Sequence, residues 1–224
     1  MRYILSLVLS LLVITVYSQK QLPTPRNIQA AYTEGTRSTD GKPGKNYWQN
    51  TANYDLAVQY DPATRLVSGL VDVEYTNNSP DTLRRIYFKL YPNLYKLSSP
   101  RNSPISPADL NEGVKIDSFA INNQFAGASR MTQSGTNAFI TQVLLPKQKI
   151  KFAIKYHYTL NKGSHTRTGV IDSNSAFIAY FFPRIAVYDD IDGWNTIPYT
   201  GNLEFYNDFC NFKTAITVPK NFVV

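Results

Sequence analysis

The chain has 224 residues, is 43% hydrophobic and 13% aromatic, and carries a formal charge of +7. That composition can bury a core in one large β domain or two small ones. The basic residues are dispersed, with Arg84-Arg85 the longest pair, so a solvated surface is expected and a nucleic-acid patch is not. One cysteine, Cys210, excludes an internal disulfide and leaves packing to stabilise the fold.

Arg2 and the apolar run 4–16, broken by Ser6, Ser10 and Thr15, precede Val16-Tyr17-Ser18. Residues 1–18 are therefore expected to be a signal peptide cleaved after Ser18. The run is shorter than the about 20 residues a membrane span needs, and no other stretch is apolar enough, so an exported, soluble chain is expected. Residues 19–46 are polar, rich in Thr, Gly and Pro, and read as a flexible, extended N-terminal arm. The ordered domain is expected over 47–224.

Strand patterns dominate from there. Residues 54–60 form a first candidate, closed by Asp61-Pro62. In 65–76, Val67, Gly69, Val71, Val73 and Tyr75 share one face against Ser68, Asp72 and Glu74, the period of two of a half-buried antiparallel strand. A turn at 77–81 leads to a strand over 83–91, with Ile86, Phe88 and Leu90 on one face. The Pro- and Ser-rich stretch 98–107 reads as a loop, and Pro107-Ala108-Asp109-Leu110 as one helical turn. Further strands are expected over 114–121, 138–145, 149–158, 177–182 and 212–218, with another beginning at 221–224. No window sustains a 3.6 period with caps for three turns, so the fold is expected to be all-β. The sequence stops at Val223-Val224 inside an apolar extended segment, as a fragment would.

No workable catalytic set stands out. His157 and His165 are the only histidines; the first belongs to a strand and the second to a polar loop. Neither has a carboxylate or Cys at ligand spacing, and no H-E-x-x-H or G-x-S-x-G occurs. Cys210, between aromatic residues, reads as a buried thiol with nothing nearby to lower its pKa. Asp189-Asp190-Ile191-Asp192-Gly193 lacks the alternating oxygen ligands and final Glu of a calcium loop and reads as an acidic turn. Gly41-Lys42-Pro43-Gly44-Lys45 has neither the spacing nor the following helix of a phosphate loop. Aromatic residues crowd between Tyr180 and Phe209, in a core or as a sugar- or peptide-binding surface.

The same segment carries an ordered set of motifs. Phe182-Pro183-Arg184-Ile185-Ala186-Val187-Tyr188-Asp189-Asp190 is followed by Gly193-Trp194, Pro198-Tyr199, Glu204-Phe205-Tyr206-Asn207-Asp208-Phe209 and Val218-Pro219-Lys220-Asn221-Phe222. Earlier come Tyr47-Trp48-Gln49-Asn50, Tyr75-Thr76-Asn77-Asn78-Ser79-Pro80-Asp81-Thr82-Leu83 and Leu90-Tyr91-Pro92-Asn93. Together, from Tyr47 to Val224, they resemble the N-terminal domain of the aminopeptidase N family of zinc metallopeptidases. The resemblance implies a saddle-like, mostly antiparallel β domain of curved sheets that packs on a catalytic domain of the same polypeptide. That next domain, with G-x-M-E-N, H-E-x-x-H and a distant Glu, would hold the zinc and act on a peptide N-terminus; none of those motifs is present here.

The resemblance also implies one substrate-binding residue. Tyr180, three residues before Pro183, falls where many members place a Gln or Glu that lines the pocket for the substrate's first side chain. Tyr keeps a hydrogen-bonding tip but cannot serve as a carboxylate anchor for an amine. This chain by itself is expected to hold no metal, no other cofactor and no catalytic residue. The alternative is a stand-alone exported β-sandwich that binds glycans or peptides through its aromatic surface.

Overall fold

The computed structural model describes residues 22–163, 165 and 167–224, so the signal-peptide reading lies outside the described residues. The chain divides into two compact units, Met1–Asn46 and Tyr47–Val224. In the first, where the sequence suggested an extended arm, α1 spans Arg26–Glu34 and ends on Gly35, at φ 72°. Thr36 N donates to Ala31 O at 3.0 Å and Gly44 N to Thr36 O at 2.8 Å, folding the chain back after the helix. The helix has no side-chain N-cap and only nine residues, so it falls short of three capped turns.

The second unit holds β1 (Thr51–Asp61), β2 (Leu66–Thr76), β3 (Leu83–Lys89), β4 (Lys115–Ile121), β5 (Gln124–Phe125), β6 (Thr132–Ser134) and β7 (Asn137–Leu144). It continues with β8 (Lys149–Thr159), β9 (Thr168–Asp172), β10 (Ser175–Ile178), β11 (Arg184–Ile185), β12 (Tyr188–Asp189), β13 (Gly193–Trp194) and β14 (Asn211–Thr217). One sheet runs β14-β1-β2-β8-β4-β5 and a second β11-β3-β7-β6, with small hairpins β9-β10 and β12-β13. The pairing is antiparallel except that β14 lies parallel to β1. The all-β, mostly antiparallel expectation is met, in sheets that do not close into a barrel.

Alternation builds this core. In β1, Ala52, Tyr54, Leu56, Val58 and Tyr60 are buried while the residues between them are exposed. Val67, Val71, Val73 and Tyr75 of β2, and Ile150, Phe152, Ile154, Tyr156 and Tyr158 of β8, join them. Ile86 and Phe88 of β3 and Ala138 and Ile140 of β7 belong to the same core. Phe88 meets Phe152 edge-on at 5.4 Å, and Phe119 stacks on Phe152 at 5.8 Å. Gly69 pairs with Tyr156 across the β2–β8 register, and a Cβ there would sit 3.0 Å from the Tyr156 hydroxyl and 2.8 Å from Ala57 O. The missing side chain is what lets that phenol lie between the strands.

Three expected strands end differently. Beyond Lys89 the chain turns into a 3₁₀ helix, Tyr91–Tyr95, led by Pro92, which lacks the N–H a strand needs. The strand expected over 177–182 stops at Ile178, because Tyr180 takes φ 42° and redirects the backbone. At the C-terminal side, Phe222 N donates to Pro219 O at 2.9 Å, so 221–224 follows a turn and pairs with no strand.

Candidate functional site

The turn at Tyr180 carries its ring into an aromatic cluster. The ring centroid lies 4.1 Å from Phe205, 5.8 Å from Tyr91 and 6.4 Å from Tyr199. Tyr91 and Tyr199 each meet Phe205 as well, at 4.5 and 4.7 Å. Leu94, Tyr95 and Ile105 complete the cluster. It gathers three of the motif segments from the sequence, Leu90–Asn93, Pro198-Tyr199 and Glu204–Phe209, around the Tyr180 position.

Two features set Tyr180 apart. Its positive φ is unfavourable for a bulky L-residue, and its hydroxyl is buried with no partner in hydrogen-bonding geometry, the Tyr199 phenol being a near neighbour. Burial pushes the Tyr91 phenol up to about 12 and those of Tyr95 and Tyr180 higher still, so all three are neutral donors at physiological pH. The cluster can therefore pack apolar groups and offer phenol hydrogen bonds.

Beside it lies a cavity of about 410 Å³ whose lining includes Leu94, Tyr95 and Ile105 of the cluster together with Arg101, His165 and Thr200. Arg101 is committed to main-chain oxygens, donating to Leu94 O at 3.1 Å and Lys96 O at 2.7 Å. His165 Nε2 lies 3.4 Å from Oδ2 of the buried Asp109, whose Oδ1 accepts from Gly163 N at 2.7 Å. His157 Nδ1 is paired with Asp117 at 2.8 Å. Both partners are remote in sequence, so spacing alone could not reveal them. Among the described residues, no three His, Cys, Asp or Glu gather as a metal site would require.

Other motif segments meet in a second network, which includes Arg184 of β11. Asn50, fully buried, donates Nδ2 to the Tyr75 hydroxyl at 2.8 Å and accepts from Asn78 N at 2.7 Å and Ser79 N at 3.2 Å. Asn78 Nδ2 returns to Gln49 O at 2.9 Å, Gln49 Nε2 reaches Asp208 Oδ1 at 3.1 Å, and Arg184 Nη2 donates to Asp208 O at 2.7 Å. The Tyr188 hydroxyl donates to Asp81 at 2.8 Å. One network thus joins four segments that stand far apart in the chain.

The remaining sequence candidates are placed as follows. Asp189 Oδ1 accepts from the amides of Ile191 and Asp192, which makes 189–193 an acidic turn between β12 and β13. Burial raises the Cys210 thiol even though Arg184 lies 3.8 Å away and opposes the shift. Trp194 packs among Tyr75, Tyr87 and Tyr188, and Trp48 stacks on Tyr188 at 5.7 Å. Of the aromatic run, only Tyr206 and Phe209 are exposed, at 47% and 89%. Most of these rings therefore face one another rather than forming a flat platform for a sugar. Among the described residues, no helix is long and apolar enough to cross a membrane.

No family model matches the sequence, and no curated protein does. Among solved structures, a two-domain M1 zinc metallopeptidase bound to L-tryptophan is similar over 80% of this chain and 35% of its own, at 17% identity and a TM-score of 0.41. The M1 zinc metallopeptidase from Deinococcus radiodurans is similar over 79% and 34%, at 16% identity and 0.42. Legionella pneumophila aminopeptidase A in complex with aspartic acid is similar over 50% and 11%, at 8% and 0.33. The chain thus spans about a third of the length of the two M1 metallopeptidases, and likeness at this level speaks to neither activity nor ligand.

Proposed function

We propose that this chain is the non-catalytic N-terminal β domain of an exported zinc aminopeptidase. It walls one side of the substrate site, with Tyr180 lining the pocket for the first side chain of a peptide. The zinc, the general base and the transition-state donors belong to a catalytic domain of the same polypeptide. This chain's own residues do not fit a zinc site, since its two histidines each face a different aspartate. Within the pocket, Tyr180, Tyr91 and Phe205 would pack a side chain and exclude water, and the neutral phenols would donate hydrogen bonds.

The observation that carries the reading is convergence. The motif segments that resemble the aminopeptidase N family are threaded through the whole domain. They nevertheless meet in the Tyr180 cluster and in the Asn50–Asp208 network. A stand-alone glycan binder is less well supported, because both Trp are half-buried and most rings of the run pack on one another.

The test is genetic and enzymatic. Reading the coding frame onward from Val224 is expected to give H-E-x-x-H within about one hundred codons, the spacing of a zinc-binding helix face. A stop codon in place of that frame overturns the reading. The full chain, supplied with zinc, is expected to release nothing from aminoacyl anilides. In the longer protein, Tyr180→Ala is expected to change which N-terminal residue is preferred; unchanged preference removes Tyr180 from the site.

A further inference from the structure

Lys89, at the end of β3, is only 3% exposed. Its ammonium donates to Asn137 Oδ1 at 2.9 Å, Asn195 Oδ1 at 3.1 Å and Ile197 O at 2.8 Å. All three acceptors are neutral, and no carboxylate lies within ion-pair distance of Lys89 among the described residues. A buried lysine without a counter-ion is uncommon, since removing the charge from water is costly. The fold accepts that cost at a place where a loop must be fastened to a sheet.

The loop is 195–199. Asn137 Nδ2 donates to Thr196 O at 2.6 Å, and Tyr199 N donates to Thr136 Oγ1 at 2.7 Å. Tyr199 then packs on Tyr91 at 5.5 Å, so the loop sets one wall of the aromatic cluster. We propose that Lys89 is a clamp on this wall that counts protons: as an ammonium it holds three acceptors, as an amine only two, and the Asn195 contact is the one released.

Donor counting gives the choice of contact. An ammonium has three N–H donors, whereas an amine has two and turns a lone pair toward the third acceptor. Ile197 O is main chain and cannot turn away. Asn137 could rotate only by giving up its bond to Thr196 O. Asn195 makes the longest of the three contacts, so its oxygen is the acceptor that the amine's lone pair comes to face and repel.

The surrounding charges do not compensate the ammonium. Arg85, two residues back on β3, lies over the Phe139 ring at 5.1 Å. Arg184, the cross-strand partner of Lys89 on β11, directs its guanidinium to Asp208 O. Asp189 in the neighbouring hairpin accepts from Ile191, Asp192 and Tyr206. His157 and His165 pair with Asp117 and Asp109. Burial consequently draws the Lys89 pKa down to about 8.

The sign of the linkage makes the event local. An unfolded lysine keeps its proton to about 10.4, so between about pH 8 and 10.4 the unfolded chain holds the proton that the folded Lys89 has lost, and the contribution of Lys89 to stability rises with pH. Deprotonation therefore releases one contact without melting the domain. The proposal does not depend on the aminopeptidase reading, and its test uses no peptide.

Trp194 adjoins Asn195 and reports on the clamp. In the full chain carrying Trp48→Phe, so that Trp194 alone emits, fluorescence titrated from pH 6.5 to 9.5 is expected to show one transition near pH 8. Lys89→Arg and Lys89→Met are expected to show none. Asn195→Asp, which sets a carboxylate beside the ammonium, is expected to move the midpoint up by at least one pH unit. A flat titration of the parent, a transition that survives in Lys89→Arg, or an unmoved midpoint in Asn195→Asp overturns the clamp.

Discussion

Asn50 gives the sharpest test of how the domain is held together. Its side chain is fully buried and serves three groups: the Tyr75 hydroxyl, Asn78 N and Ser79 N. Ser79 N keeps a second acceptor in Asn77 Oδ1 at 3.1 Å, so Asn50→Ala orphans two groups rather than three. At about 1–3 kcal/mol for each buried orphan, the expected loss is about 2–6 kcal/mol. Tyr75→Phe removes the hydroxyl and leaves only Asn50 Nδ2 unpaired, for about 1–3 kcal/mol. In the double variant neither the Tyr75 hydroxyl nor the Asn50 amide is left behind, so the combined loss should fall short of the sum by two orphans, about 2–6 kcal/mol. Urea unfolding of the four chains, followed by tryptophan emission, measures the cycle. A loss below about 1 kcal/mol for Asn50→Ala, or strict additivity, would refute the reasoning, because either means that water replaces what Asn50 supplies.

Three further outcomes follow from single groups. Burial raises the Asp208 carboxyl above its ordinary value, outweighing the help of Gln49 and Arg184. The folded chain then binds the proton more tightly than the unfolded one, and stability falls as pH rises through that window. Asp208→Asn should be the more stable chain at pH 7, with an advantage that disappears below about pH 4; an equal gap at both pH values contradicts this. Tyr180→Phe deletes a buried hydroxyl without a partner and should be neutral or stabilising by up to about 1 kcal/mol in the same unfolding assay; a loss beyond that reveals a partner. Ile154→Ala, at a fully buried position on β8 between β2 and β4, should cost about 2–5 kcal/mol and lower the melting temperature accordingly.

The strands were legible wherever one face is buried and the other wet. The alternation in 65–76 and 149–158 maps onto β2 and β8, paired residue by residue from Leu66↔Thr159 to Thr76↔Lys149. Pairing partners were less legible, because the period of two says which face is buried but not which neighbour a strand takes. β14 shows this: its own pattern could not reveal that it joins β1 in parallel, with Phe212 stacked on Tyr54 at 5.1 Å. α1 escaped for the opposite reason, a short helix without a side-chain N-cap. The aspartates facing His157 and His165 lie 40 and 56 residues away, beyond any local spacing rule.

Tyr180 marks where reading from sequence stops and why. Phe177 to Phe182 has the composition of a strand, yet the backbone leaves the sheet at Tyr180 with φ 42°. Other positive-φ residues, such as Asn122 and Asn123, lie in a tight turn between β4 and β5, where Asn tolerates that region. A tyrosine there costs about 1–2 kcal/mol locally. The compensation comes from Tyr91, Tyr199 and Phe205, which arrive from separate segments and pack against its ring. No local pattern could announce it, because the residues that hold the strained backbone in place are not its neighbours in the chain. Backbone strain together with a buried, unpartnered hydroxyl distinguishes Tyr180 from the more enclosed Tyr156 and Tyr158, whose hydroxyls are also unpartnered but whose backbones are unstrained.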